Sequence, residues 1–473
     1  MRNLLFMLFA FAALSGQAQP KILYYDPPPK GFAERKIAKS GLKKDMDFWQ
    51  KVLEESHVNL YHSITKAKLD SLKKAILRSV PDSLTHAEAS FAISRLSGAI
   101  GEGHLGFTSN PVSDSLYKSQ SLRFPYILQG FDNGAFVVRQ DVSGNHPPLP
   151  SQSSIVEING IPAQQLYDRY AAFTGGLEAW KKLNVAESIR KLLFLDNIRS
   201  PFVIKALKGK DTVSISSKGF SGSQADSISK VVASSYSIPS AFSLQFLPGN
   251  IALISFNDMN GRLRDSFAIF LKKSFAEIGN KKAGGLIIDL RQNGGGDSGL
   301  GDMLLSYISS HPYRNVSAIK VKVSRHSKAL AKLREKEDPF SKSKNGSLFE
   351  YKIDKLTTPE EQPLRFTGKT AVLIGTGTFS SANMLANTIK DYKLATLIGE
   401  PTAEPGNDFG EVFPFMLPNT RVIATGSIKM FVRANGDASD FTGIQPDIFS
   451  ATGIGDKGKD QVMEDAIKYL GNK

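Results

Sequence analysis

The chain has 473 residues, of which 41% are hydrophobic and 22% charged, with a formal net charge of +14. That length exceeds one ordinary core and points to two or three domains, and the balance of apolar and charged residues excludes a disordered or fibrous chain. Cysteine is absent, which excludes a cysteine nucleophile, a disulfide framework and thiolate metal sites.

Arg2, the apolar run Leu4 to Leu14 and the small-residue segment Gly16-Gln17-Ala18 together form a signal-peptide pattern over residues 1–18. The chain is therefore expected to be secreted or periplasmic after cleavage near Ala18. The apolar run is too short to span a bilayer, and no later segment is apolar enough to be an integral membrane segment. Residues 19–40, with Pro27-Pro28-Pro29, are an extended lead-in.

Residues 41–110 are predicted to be helical. Phe48, Val52 and Glu55 step along one helix, and Leu69, Leu72 and Ile76 along a second. Thr85 and Glu88 have the spacing of a capping box, so a third helix starts there with Ala89, Ile93, Leu96 and Ile100 on its apolar face. It runs into the glycine-flanked loop Gly101-Glu102-Gly103-His104-Leu105-Gly106. His57 and His62 lie five apart, a poor helical metal spacing, and are taken as structural.

Farther on, Phe136-Val137-Val138 is strand-like. Ser154 to Ile158 is a strand that turns at Asn159-Gly160 and leads into a helix. Serine-rich residues 219–240 form a linker. From Asn250, short apolar strands (Ile251 to Phe256, Gly285 to Leu290, Thr370 to Ile374) alternate with helical stretches near Phe267 to Ile278, Leu300 to Ile308 and Ser381 to Tyr392. That order is the signature of an α/β domain. Residues 324–347, rich in lysine and serine and without apolar periodicity, are expected to be a mobile loop. The basic residues are otherwise scattered, and no basic helix is interleaved with aromatics, so the charge describes a solvated surface and no nucleic-acid partner.

Three segments could carry chemistry. Asp289-Leu290-Arg291-Gln292-Asn293-Gly294-Gly295-Gly296 ends a buried strand in a polar, glycine-rich turn before a helix, where bare backbone N–H groups can face an anion. Gly375-Thr376-Gly377-Thr378-Phe379-Ser380-Ser381-Ala382 is a second strand, tight turn and helix. A serine there is either an exposed nucleophile or simply the cap of the helix, and the residues alone leave both open. His104 is the third: a lone histidine is more often structural, but this one has the most permissive backbone of the seven, and loops carry function disproportionately.

Taken together, these segments resemble the C-terminal processing (tail-specific) serine peptidases, in the branch close to the tricorn core protease. The matched positions are the Gly103-His104 loop, Asp289, Arg291, Asn293, Gly295 and Gly296, then Ser380 with Asp391, then Ile398 to Thr402, and Gly443 to Asp447. The resemblance implies an α/β fold. It would comprise a crotonase-like catalytic domain over residues 241–473, the N-terminal helical region, and a PDZ-like β-rich domain over residues 111–218. It implies Ser380 as nucleophile, His104 as general base and Asp440 where the branch places a glutamate, with Gly295 and the Ser381 N–H as the oxyanion hole. The substrate implied is a peptide or unfolded protein, with C-terminal tails as one mode of recognition. Neither cofactor nor metal is implied. Glu404-Pro405-Gly406 stands where the lysine-dependent branch has Gly-Lys-Gly, which argues against a Ser-Lys dyad. Gly103 and Leu105 also depart from the pattern around the histidine and motivate the alternative of a catalytically inactive, peptide-binding family member. A thioester-converting enzyme of crotonase-like fold is disfavoured by the export signal. N-terminal sequencing of the exported protein is expected to begin near Gln19; a chain still starting at Met1 would contradict the signal-peptide reading.

Overall fold

The computed structural model describes residues 21–120, 122–144, 148–208, 211–222, 224, 240–335, 337, 339–452 and 460–471. The expected signal peptide and most of the serine-rich linker lie outside these residues. The described residues fall into two compact units. The first draws on the chain up to Ser237 with Val321–Phe349 and Glu411–Lys429. The second draws on Ile238–Lys320, Glu350–Gly410 and the chain from Met430 on.

The second unit is built by apolar alternation. Its six-stranded sheet runs in the order 242–247, 251–256, 285–289, 370–374, 396–399, 448–449. All neighbours are parallel except the first pair. Successive side chains of a strand point to opposite faces. Thus Ala252, Ile254, Leu286, Ile288, Val372 and Ile374 pack on one face with the helices Arg264–Asn280, Ser298–Ser306 and Ser381–Tyr392. Ile251, Leu253, Ile287, Ala371 and Leu373 pack on the other with Val462 and Ala466 of the helix Gln461–Gly471. Strands covered on both faces read as continuous apolar runs, which is how they stood out in the sequence. The α/β expectation is met here.

In the first unit, the helices Lys39–Ser56, Lys66–Ser79 and His86–Ser94 bury Leu42, Met46, Trp49, Leu53, Leu69, Ile76 and Ile93 against Phe413, Phe415 and Leu417. Both hydrogen bonds of the Thr85–Glu88 capping box form. The third helix is shorter than predicted. It stops at Ser94 and gives way to a 3₁₀ turn over Ser97–Ala99. The Ser97 hydroxyl donates to Phe173 O (2.6 Å) and the Gly98 N–H to Ala172 O (3.1 Å), so these groups bond outside the helix. Leu96 and Ile100 stay buried nonetheless.

The same unit carries an antiparallel sheet in the order 126–132, 135–141, 154–158, 202–208, 211–217. Its core is shared with the helices Ala163–Ala171 and Glu178–Leu195. The 18-residue helix Glu178–Leu195, absent from the sequence reading, buries Val185, Ile189, Leu192 and Leu193. Among the described residues no helix is long and apolar enough to cross a membrane.

The expectation of a loop over 324–347 is corrected by the helix Arg325–Leu333. Ser324 and Ser327 cap each other reciprocally, a weaker spelling of the capping box than Ser/Thr with Glu/Gln. His326 and Leu330, four residues apart, form the buried stripe. A histidine in an apolar position hid the periodicity. Core packing predicts that Ile288→Ala, at a fully buried site, costs about 2–5 kcal/mol in urea unfolding. Ile269→Ala, at a site 58% exposed, should stay within about 0.5 kcal/mol.

Candidate active site

The strand Gly285–Asp289 delivers the polar turn at its C-terminal end, where parallel sheets place their ligand crevices. Arg291 closes that turn. Its Nε lies 3.0 Å from Asp289 Oδ1, and its Nη atoms reach Asp460 at 2.9 and 2.7 Å. Asn293, fully buried, works in both directions: Nδ2 donates to Phe256 O (2.8 Å), while Oδ1 accepts the Gly295 N–H (2.9 Å). The Asp-x-Arg-x-Asn part of the motif thus shapes the turn.

The second turn is bolted to the first. Thr378 Oγ1 donates to Leu290 O (2.9 Å) and the Phe379 N–H to Asn293 O (3.0 Å). Gly295 has φ +91°, and a Cβ there would sit 2.7 Å from both Ser380 Cβ and Ser381 N. Only glycine permits this approach. Ser380 has φ +53° and ψ −125° and precedes the helix Ser381–Tyr392, with no side-chain capping bond. Such backbone is rare outside glycine and marks a strained turn of the kind that displays a nucleophile. The cap alternative is therefore not realised at Ser380. The Ser381 hydroxyl donates to Gly296 O (2.7 Å). The Ser381 N–H begins the helix, among the amides that lack an intrahelical partner.

The sequence reading gave Glu404 no role beyond marking a departure from Gly-Lys-Gly. Its carboxylate, buried at 3% exposure, accepts the backbone N–H of Ser380. An acid beside Pro405, where the resemblance expects glycine, was the available signal. The two later motif segments also meet: Thr402 Oγ1 accepts the Ile444 N–H (2.8 Å), and Asp447 Oδ2 accepts that of Leu397 (2.8 Å). Lys390 is held by Asp447.

Ser380, Ser381 and Gly295 are thus brought together in the second unit. Asp440 belongs to the same unit. Its Oδ2 is bound by Arg433, which also grips Asp391 (2.6 Å), and its Oδ1 accepts the N–H (2.9 Å) and hydroxyl (2.6 Å) of Thr442. Burial opposes ionisation of Asp440, but the Thr442 bonds and the Arg433 charge outweigh it and hold the carboxyl below its ordinary value. His104 belongs to the first unit, in the loop before the strand Gly106–Ser109. It is 9% exposed, and its carbonyl accepts the Thr425 hydroxyl (3.0 Å).

Residues 250–450 match the sequence profile of peptidase family S41. A comparison with curated proteins returns no match. Among solved structures, mature CPAF superposes with a TM-score of 0.59 at 15% identity, covering 91% of this chain and 96% of that one. Mature CPAF complexed with lactacystin gives 0.59 at 16% identity, covering 91% and 97%. The photosystem II D1 C-terminal processing protease gives 0.45 at 14% identity, covering 92% and 98%.

The Arg291–Asp460 pair yields a pH test. Burial opposes ionisation of Asp460, yet the Arg291 hydrogen bond and charge prevail and lower its pKa from 3.8. A lowered carboxyl contributes stability above its unfolded pKa and loses it as pH falls through the folded value. Asp460→Asn should therefore be destabilised relative to wild type in urea at pH 7, and the gap should close as pH falls through the folded carboxyl's lowered value.

Proposed function

We propose that this member of peptidase family S41 cleaves polypeptides by acyl transfer, with Ser380 as nucleophile and His104 as general base. The chain is a serine-type peptidase by family, and its substrates are peptides or proteins. The observation that carries the residue assignment is the strained turn at Ser380, with its hydroxyl unused as a cap and the Ser381 amide beside Gly295.

In this reading the Ser380 hydroxyl gives its proton to His104 as Oγ attacks the scissile carbonyl carbon. The oxyanion that forms is held by the Ser381 N–H, a donor worth about 3 kcal/mol. The Gly295 amide, already donated to Asn293, contributes chiefly by letting the two turns approach. The tetrahedral intermediate collapses, the amine leaves with the proton from His104, and water then hydrolyses the acyl-serine by the same route. A lysine base has little support, since Pro405 stands in the family's lysine position and Lys390 is bound to Asp447. Asp440 could orient the imidazole only by giving up part of its bonding to Arg433 and Thr442.

The finer reading follows the resemblance. The second unit's parallel sheet with flanking helices supports a crotonase-like catalytic domain. The antiparallel sheet between residues 126 and 217 supports a PDZ-like module that takes an extended peptide as an added strand, including a C-terminal tail. The N-terminal pattern supports export to the periplasm or medium.

Hydrolysis of an unfolded polypeptide tests the assignment. Ser380→Ala and His104→Ala are each expected to lower kcat/KM by about 10⁴-fold or more. Ser381→Ala, Lys390→Ala and Lys393→Ala should retain most activity, and Asp440→Ala should cost less than His104→Ala. Activity should fall at acidic pH as the imidazole gains a proton. A dead Ser381→Ala beside an active Ser380→Ala, or an active His104→Ala, would refute the roles.

A further inference from the structure

We infer that Glu404 is a positioning residue of the catalytic centre: it holds the backbone of Ser380 and so sets where the nucleophilic Oγ stands. The inference rests on the reading of Ser380 as nucleophile.

Ser380 has φ +53° and ψ −125°, a conformation that an L side chain rarely adopts and that an unrestrained chain would relax. The peptide that leads into it is gripped at both ends. Its carbonyl, on Phe379, accepts the Ala382 N–H (3.1 Å), and its N–H, on Ser380, goes to Glu404 Oε2. On the far side of the same Cα, the Ser380 carbonyl accepts the Met384 N–H (2.9 Å). Two of these bonds are local to the start of the helix. The bond to Glu404 is the tertiary one, and its acceptor is a carboxylate, which makes the stronger kind of hydrogen bond to a backbone N–H. Oγ hangs from the Cα that these bonds flank, so a rotation of the preceding peptide would swing it.

The acceptor is delivered by a braced loop. Glu404 is 3% exposed. Thr402 Oγ1 donates to Glu404 O (3.1 Å) and accepts the Ile444 N–H (2.8 Å). The Thr402 N–H donates to Ile444 O (3.1 Å) and the Gly406 N–H to Thr442 O (3.2 Å), so the chain on either side of Glu404 is laced to residues 442–444. A Cβ at Gly443 would fall 1.9 Å from Thr402 O, and only glycine allows that approach.

A further bond ties the loop to the nucleophile's own helix. Asn383, 2% exposed, donates Nδ2 to Pro405 O (2.8 Å). Glu404 and Pro405 thus grip residues 380 and 383, about one helical turn apart. Asn383 Oδ1 is buried without a hydrogen-bond partner. A half-satisfied buried amide is destabilising, and its satisfied half is the one that seats the loop against the helix. The two later motif segments acquire a purpose from this: they place Glu404.

The consequence is kinetic. A displaced Oγ leaves substrate binding intact and spoils alignment at the scissile carbonyl, so the loss should fall on kcat with KM near wild type. Hydrolysis of an unfolded polypeptide tests this in Glu404→Ala and Glu404→Gln, with urea unfolding to establish that each variant folds. Glu404→Ala should lower kcat by about 10- to 100-fold, the size expected for losing a hydrogen bond to a charged acceptor. Glu404→Gln keeps an acceptor oxygen at the same reach and should recover most of that loss. In protein labelled with ¹⁵N-serine, the Ser380 amide signal, identified by its loss in Ser380→Ala, should move upfield in the proton dimension in Glu404→Ala and much less in Glu404→Gln. If the alanine variant does not fold, Glu404→Asp, whose shorter side chain withdraws the oxygen from the amide, takes its place. An unchanged kcat or an unmoved amide in the folded alanine variant overturns the inference. So does a glutamine variant as slow as the alanine one, which would assign the effect to charge. An active Ser380→Ala overturns the reading of the nucleophile itself, whereas a dead Ser380→Ala beside a fully active Glu404→Ala overturns the inference alone.

Discussion

The contact between two turns, Asn293 to Gly296 and Thr378 to Ser381, is the constraint on which the second unit depends. Each turn ends a parallel strand of one sheet, so strand pairing alone brings them to the same edge. Asn293 then does what no apolar residue could. Its side chain ties the turn to Phe256 and to its own Gly295, while its carbonyl takes the Phe379 N–H. Ser380 is left in a left-handed backbone conformation that costs about 1–3 kcal/mol for a non-glycine residue. It persists because Glu404, Asn293 and the helix that follows fix its neighbours on every side.

Two partly buried arginines act as clamps in the second unit. Arg291 joins Asp289 to Asp460, and Arg433 joins Asp391 to Asp440; each cation answers two carboxylates from distant parts of the chain. Partly buried pairs of this kind fix geometry more than they raise stability, because desolvation offsets most of the attraction.

The sequence showed the second unit well because its strands are covered on both faces. Runs such as Ile251 to Phe256 and Thr370 to Ile374 are apolar without interruption, and the glycines that follow them mark the turns. The helix Ser381–Tyr392 was legible to its end residues. The helix Glu178–Leu195 was not, because lysines and a glutamate interleave its buried positions and its neighbours are strands. The helix Arg325–Leu333 was hidden by a histidine in its apolar stripe. In the site, residues carried by spacing were legible: Ser380, Ser381 and Gly295 do converge. Glu404 was not legible as a participant, since its partner lies 24 residues away in the chain. No local pattern announces a carboxylate whose meaning comes from a tertiary neighbour.

The central claim is that Ser380 is an activated nucleophile. The most direct measurement is reaction of the intact protein with a fluorophosphonate, followed by mass-spectrometric mapping of the adduct. The account predicts one covalent adduct, on the Ser380 hydroxyl, formed faster at neutral than at acidic pH and absent in Ser380→Ala. Folded protein that takes up no label, or that carries it on Ser381, would contradict it.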